Sequence, residues 1–304
     1  MFNSVFRRMS FGVLLLMVGT VPILIASEEV QWSQSIEESM SEAKTTGKPM
    51  MMDFYTDWWG FCKRLDAETF TDTHIIELSE KFVPVKVNPE DKERPINEET
   101  RSRYGVTAYP AVLFVSPDGG LIQKASGFLT PDQFSPIMED ALKKEAEFQE
   151  KLEKLKAKSD DAKLNAQVAL TYLQRMQLEE AVLFSEKAFA HDPKNRTKLI
   201  PNLHNQLGLA YGALVEGAML ENSEEAETHF EKAVSHFKVV IDTYPKSQAY
   251  EPAQYYLGVT FAIKGNYEDA IATLEKLSHH AKDENIRQNA EAMLERVKDL
   301  ARSH

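Results

Sequence analysis

From residue 161 to 302 the sequence contains no stretch that alternates like a strand, and its apolar residues recur with a period near 34. A period of that length marks helix pairs that cannot bury their apolar face alone and must stack on their neighbours. One unit, 162–195, carries Val168, Ala169, Tyr172, Ala181, Ala188 and Pro193. Another, 251–284, carries Leu257-Gly258, Phe261, Ala270, Leu274 and Leu277 at the matching places, with Lys282 where the proline would fall. A middle unit has Leu207-Gly208 and Tyr211, then Ala233, Phe237 and Pro245 displaced by an insertion of 13 residues around Gly217 to Glu225. Small residues let paired helices approach closely, and large ones fill the space between. Residues 285–301 predict a last amphipathic helix (Ile286, Ala290, Met293, Leu294, Val297, Leu300) that caps the stack.

The first half has a different grammar. From Val30 to Gly47, Trp32, Ile36, Met40 and Ala43 recur at helical intervals, closed by Gly47 and Pro49. A short apolar strand, Met50 to Tyr55, follows. It breaks at Thr56-Asp57 and turns through Gly60 into a helix that carries Cys62 to about Glu68. Thr71-Asp72-Thr73 gives a cap for a second helical piece from His74 to Lys81. Phe82 to Asn88 alternates like a strand, and Asn97 to Arg103 is a short helix. Val106 to Val115 approaches a buried strand through Pro110, and the turn Ser116-Pro117-Asp118-Gly119-Gly120 joins it to Leu121–Ala125 as a hairpin. Thr130-Pro131-Asp132-Gln133 starts a helix with proline at its first position. That helix runs on through Glu139 to Lys158 with dense Glu/Lys pairs, the pattern of a solvated connection.

The segment Asp53-Phe54-Tyr55-Thr56-Asp57-Trp58-Trp59-Gly60-Phe61-Cys62-Lys63 resembles the active-site segment of the thioredoxin superfamily, above all exported domains with the form Asp-Phe-Tyr-x-Asp-Trp-Cys-Gly-x-Cys-Lys. The resemblance covers residues 30–145, nearly half the chain. Trp59 stands where that family has its attacking cysteine, and Cys62 where it has its resolving one. Three further positions match: Asp53 the buried strand carboxylate, Lys86 the strand lysine that offsets its charge, and Pro110 the cis-proline beside the site. Tyr109, before Pro110, stands at the backbone that family offers to extended peptides. The helical half is similar to tetratricopeptide (TPR) repeats, without their consensus tryptophan.

Together these predict an α/β thioredoxin-like domain plus an all-α TPR helical-repeat domain. The expected boundaries are 1–26 as signal peptide or N-terminal anchor, 30–145 thioredoxin-like, 146–160 a connecting helix, and 161–302 repeats with a capping helix. Arg7 and Arg8 precede an apolar run from Phe11 to Ala26, interrupted by Pro22, short for a spanning helix and suited to an export signal. A periplasmic or otherwise extracytoplasmic location, with residues 11–26 as cleaved signal or retained anchor, is the expectation. Removing residues 1–26 moves the net charge from −12 to −14, which argues against nucleic acid or anionic lipid as partners.

The chain has one cysteine, so no disulfide closes within it and a dithiol cycle is impossible in these residues. A cysteine near a helix start can be a stabilised thiolate; the reading preferred for Cys62 is a small buried apolar residue, shielded by Trp59. Asp53 and Lys86 read either as proton-transfer groups serving Cys62 or as a charge pair kept by the fold. Trp58, Trp59, Phe61, Tyr109 and Pro110 read either as packing or as a surface gripping an extended peptide. His279-His280 face different sides of a helix, and His229 and His236 are expected to be solvated, so no metal site and no cofactor are predicted. The leading functional expectation is an exported adaptor or chaperone-like protein that binds proteins or extended peptides. The alternative is a monothiol exchange protein acting through Cys62; a third is that the repeats alone bind.

Overall fold

A computed structural model describes residues 29–221 and 223–303; the expected signal or anchor at 1–26 lies outside them. Among the described residues, no helix is long and apolar enough to cross a membrane.

The first unit is built on strand β1, Met50–Phe54, in which every residue is buried. It pairs in parallel with β2 (Val83–Val87) and antiparallel with β3 (Ala111–Val115), and β3 pairs with β4 (Leu121–Ser126), giving the order β2-β1-β3-β4. A strand buried on both faces reads as a continuous apolar run, which is why Met50-Met51-Met52 shows no alternation. Met50, Met52 and Phe54 join one core cluster, with Ile36 and Ala43; Met51 joins the other, with Leu65, Phe70 and Phe134.

Helix α1 spans Ile36–Thr46, capped by the Ser35 side chain, which accepts the Glu38 N–H, and closed at Gly47 with φ +73°. The periodicity from Val30 overextends it. Ser33 instead forms a bridge to Val85 at the free edge of β2, its N–H donating to the Pro84 carbonyl at 3.0 Å. Trp32 therefore leaves the helical series and packs edge-to-face on Phe70, centroids 4.9 Å apart, in the opposite core. Helix α2 (Gly60–Arg64) passes into a π-helical turn, Leu65–Thr69, where Phe70 N–H donates to the Leu65 carbonyl at 3.0 Å. Helices α3 (Thr73–Ser79) and α4 (Pro95–Arg103) complete the layers.

Helix α5 runs unbroken from Pro131 to Ala157 and belongs to both cores. Its first half sets Phe134, Met138 and Ala141 on the sheet; its second half sets Phe148 and Leu155 against Val168, Tyr172 and Ala181. The stretch expected to be solvated thus has one buried face. A second tie joins the units: Leu121 N–H donates to the Arg175 carbonyl at 3.0 Å, and Arg175 meets Glu145 of α5 at 2.7 Å, both side chains almost fully buried.

The rest is helical: α6 (Ala162–Gln174), α7 (Leu178–His191), α8 (Ile200–Glu221), α9 (Ser223–Thr243), α10 (Tyr250–Lys264), α11 (Tyr267–His280) and α12 (Glu284–Ser303). Successive helices pack in pairs, and two glycines sit where a neighbouring side chain leaves no room for a Cβ. A Cβ on Gly208 would sit 2.6 Å from the Phe237 ring, and one on Gly258 would sit 2.7 Å from Leu274. The insertion around Gly217 lengthens α8 and α9 to 22 and 21 residues, against 13 and 14 for α6 and α7.

Candidate functional site

Strand β1 delivers Asp53 to the sheet face that α2 and the π turn cover. Asp53 is 1% exposed and directly opposite Lys86 in the parallel register. The Lys86 ammonium donates to Asp53 Oδ2 at 2.6 Å and also to Asp66, and lies over the rings of Trp32, Tyr55 and Phe70 at 4.9, 5.0 and 5.2 Å. Burial opposes that charge, but the two carboxylates hold Lys86 above its ordinary pKa. Burial outweighs Lys86 at Asp53 and holds its carboxyl above the usual range; its Oδ1 has no hydrogen-bond partner.

The turn Thr56–Trp59 closes into α2 through Cys62 N–H donating to the Trp59 carbonyl at 3.1 Å. Cys62 and Leu65 point inward. Cys62 is 3% exposed, and burial pushes its thiol up. A backbone hydrogen bond at Thr56 pulls the other way, while the charges of Asp53 and Asp66 add to the rise. Of the two readings of Cys62, this burial accords with the small buried residue rather than with a thiolate at a helix start.

Above the buried cysteine the surface is aromatic. Trp58, Trp59 and Phe61 are 64, 39 and 47% exposed. They touch in series, Trp58 edge-to-face on Trp59 at 5.4 Å and Trp59 tilted on Phe61 at 5.9 Å. The Trp58 indole N–H donates to the Glu90 carboxylate at 3.0 Å, which fixes the ring from the β2–α4 loop. Trp59, Gly60, Phe61 and Arg64 line an open hollow of about 570 Å³, and Arg64 stacks on Phe128 at 4.0 Å. The Tyr109–Pro110 bond is cis, and Tyr109 is half-buried, burial pushing its phenol up. Pro110 is buried, its carbonyl accepting the Gly127 N–H at 2.8 Å.

Asp53, Lys86 and Cys62 are thus brought together below the surface, and Trp58, Trp59 and Phe61 together upon it. Asp66 was absent from the sequence reading. Its signal was its place four residues after Cys62, on the same side of a helix. The histidine reading needs correction: His236 is half-buried and its Nδ1 lies 2.9 Å from that of His204, burial pushing both imidazoles down to about 4. His229 is also half-buried, with its Nδ1 unpartnered. Among the described residues no group of three or more His, Cys, Asp or Glu could hold a metal.

Residues 36–142 match the model of the thioredoxin-like domain family. Curated relatives include the thiol:disulfide interchange protein DsbD of Actinobacillus pleuropneumoniae serotype 5b, 29% identical over 112 residues, 36% of this chain and 19% of that protein. DsbD of Campylobacter jejuni (strain RM1221) is 31% identical over 99 residues, 32% of this chain and 17% of its own. The chain therefore spans about a fifth of the length of the curated relatives it matches. Among solved structures, the C-terminal domain of Neisseria meningitidis DsbD, reduced form, is similar at 23% identity over 34% of this chain and 92% of that one, TM-score 0.32. The first unit is a thioredoxin-like α/β domain related to thiol-disulfide proteins of the DsbD type, and a mostly helical region follows it.

Proposed function

We propose that this chain is an exported polypeptide-binding protein, of adaptor or chaperone-like type, whose thioredoxin-like face grips extended chain without dithiol chemistry. The observation that carries the reading is the layering of the site: three exposed aromatic rings in series, joined by two contacts, lie over one buried thiol that burial pushes toward its protonated form. Trp59 stands where thioredoxin-type relatives have their attacking sulfur. The exchange of a sulfur for an indole removes the nucleophile and enlarges the apolar contact surface in one step. Exposed aromatic clusters of this kind mark interaction sites, and the thioredoxin resemblance implies that the Tyr109–Pro110 backbone serves an extended partner there. The helix pairs read as tetratricopeptide-like repeats that offer a second surface.

The test is capture of an unfolded polypeptide whose thiols have been alkylated. The full chain and a Cys62→Ser variant should retain it alike, and a Trp58→Ala/Trp59→Ala variant should lose it. Retention that needs Cys62 and free partner thiols would contradict the reading.

A second reading is favoured by the thiol-disulfide character of the relatives: monothiol exchange through Cys62. Asp53 would take the Cys62 proton, Sγ would attack a partner disulfide, and a mixed disulfide would form as one partner thiolate left with that proton. No second sulfur in these residues can break that bond, so release would require an external thiol.

A further inference from the structure

Four rings form an unbroken ladder across three helices of the array. Phe189 of α7 stacks flat on His204 of α8, with centroids 4.1 Å apart and planes 1° from parallel. His204 meets His236 of α9 at 5.1 Å, and His236 stacks on Tyr211 of α8 at 5.9 Å and 9°. Inside the ladder the two imidazoles face each other through one pair of atoms, Nδ1 to Nδ1 at 2.9 Å. Phe189 and Tyr211 hold the two rings from either side, so packing sets where these nitrogens point. Both histidines are half-buried, and neither is sealed from solvent.

The contact is a hydrogen bond when one Nδ1 carries a ring proton and the other does not. The same pair is a chelate when both ring protons sit on Nε2, because both Nδ1 lone pairs are then free for one ion. Burial pushes both imidazoles down to about 4, so near neutral pH an ion has no charge-carrying proton to displace. Lys232 adds to that effect at His236. Its ammonium, 5.1 Å from the Tyr211 ring, also disfavours a hard cation held by charge alone. Among the described residues no third histidine, cysteine or carboxylate completes a cluster with the pair, so solvent would supply the other ligands.

The distance selects the kind of ion. Metal–imidazole bonds of about 2.0–2.1 Å to nitrogens 2.9 Å apart meet at about 90°. That is the angle between neighbouring corners of a tetragonal ion, whereas a tetrahedral ion needs the nitrogens about 3.4 Å apart. Nitrogen and water ligands in tetragonal geometry suit copper(II) or nickel(II), and copper(II) binds such donors more tightly. We propose that His204 and His236 form a two-imidazole site for copper(II) that clips α8 to α9. The site is separate from Cys62 and the aromatic tip, and it stands whether or not the tip binds polypeptide.

The experiment adds copper(II) chloride to the full chain carrying Cys62→Ser, which removes the one thiol that copper(II) can oxidise. One equivalent should bind, its electron paramagnetic resonance spectrum should show coupling to two imidazole nitrogens, and the thermal melt of the helices should move up. His204→Phe and His236→Phe should each weaken binding about a hundredfold, since the second imidazole of a chelating pair binds intramolecularly. His236→Gln keeps a hydrogen-bonding partner for His204 and should show the same loss with far-UV circular dichroism unchanged. His279→Ala/His280→Ala, which alters the other close histidine pair, should bind as the parent does. Copper(II) held equally well by His204→Phe and His236→Gln overturns the proposal and leaves the pair as a hydrogen bond within the array. So does a parent chain that shows no saturable one-to-one binding.

Discussion

In the α/β unit a lysine and a carboxylate are drawn inside and paired, with a second, half-exposed carboxylate at the rim, whereas the helical array closes its interior by leaving atoms out. Lys86 is held between Asp53 and Asp66 under three rings. Gly208 and Gly258 carry no side chain because Phe237 and Leu274 occupy that space. The difference teaches where function can be sought. Beside that charged interior, burial pushes the Cys62 thiol up, with Asp53 and Asp66 adding to the rise and Lys86 opposing it. The array's interior sets how closely helices pack, and its one shifted titratable pair there, among the described residues, is His204–His236.

That contrast can be broken at either end, and the two units can be followed apart. All three tryptophans lie between Trp32 and Trp59, so fluorescence reports the α/β unit, while far-UV circular dichroism is dominated by the helices. Lys86→Ala carries the largest expected effect. It leaves Asp53 buried without its counter-charge, a change that costs about 3–5 kcal/mol. Denaturation followed by fluorescence should show that loss, with the helical transition moving far less. Next comes acid. His204 and His236 are held down to about 4 from 6.5, so the folded array binds fewer protons than the unfolded chain between those values. Its stability is present above pH 6.5 and is lost as pH falls toward 4, by at most roughly 3 kcal/mol per imidazole. His204→Phe should flatten that slope in melts followed by circular dichroism.

Gly208→Ala should cost the array about 1–3 kcal/mol by forcing a methyl against Phe237, with no change at the tryptophans. The smallest effect on stability belongs to Trp58→Ala. An exposed side chain outside the core should change it by under about 0.5 kcal/mol, while polypeptide capture drops. A large stability loss there would mean that the ring is packing rather than surface.

Much of this was legible in the chain. Asp53 and Lys86 sit on strands whose order follows from the strand–helix–strand pattern, and Leu207-Gly208 and Leu257-Gly258 mark the first helix of two repeat units. The rest depends on contacts that no local pattern encodes. Trp32 lies in phase with a helix, but edge pairing at Ser33 pulls it into the other core. The π turn re-aims Asp66 at Lys86, and nothing in Leu65–Thr69 announces an inserted residue. The His204–His236 contact joins residues 32 apart in sequence across a helix pair, as Arg175–Glu145 joins two units. Such partners are chosen by packing, which periodicity does not specify.

The central claim is that the one thiol is sealed and protonated beneath an aromatic binding face. The rate of Cys62 alkylation against pH, in the folded chain and in denaturant, tests it most directly. The account predicts slow native labelling with a midpoint above the free-thiol value of about 8.5, and rapid labelling once the chain is unfolded. Fast native labelling with a midpoint well below that value would contradict it and move Cys62 from the interior to the chemistry.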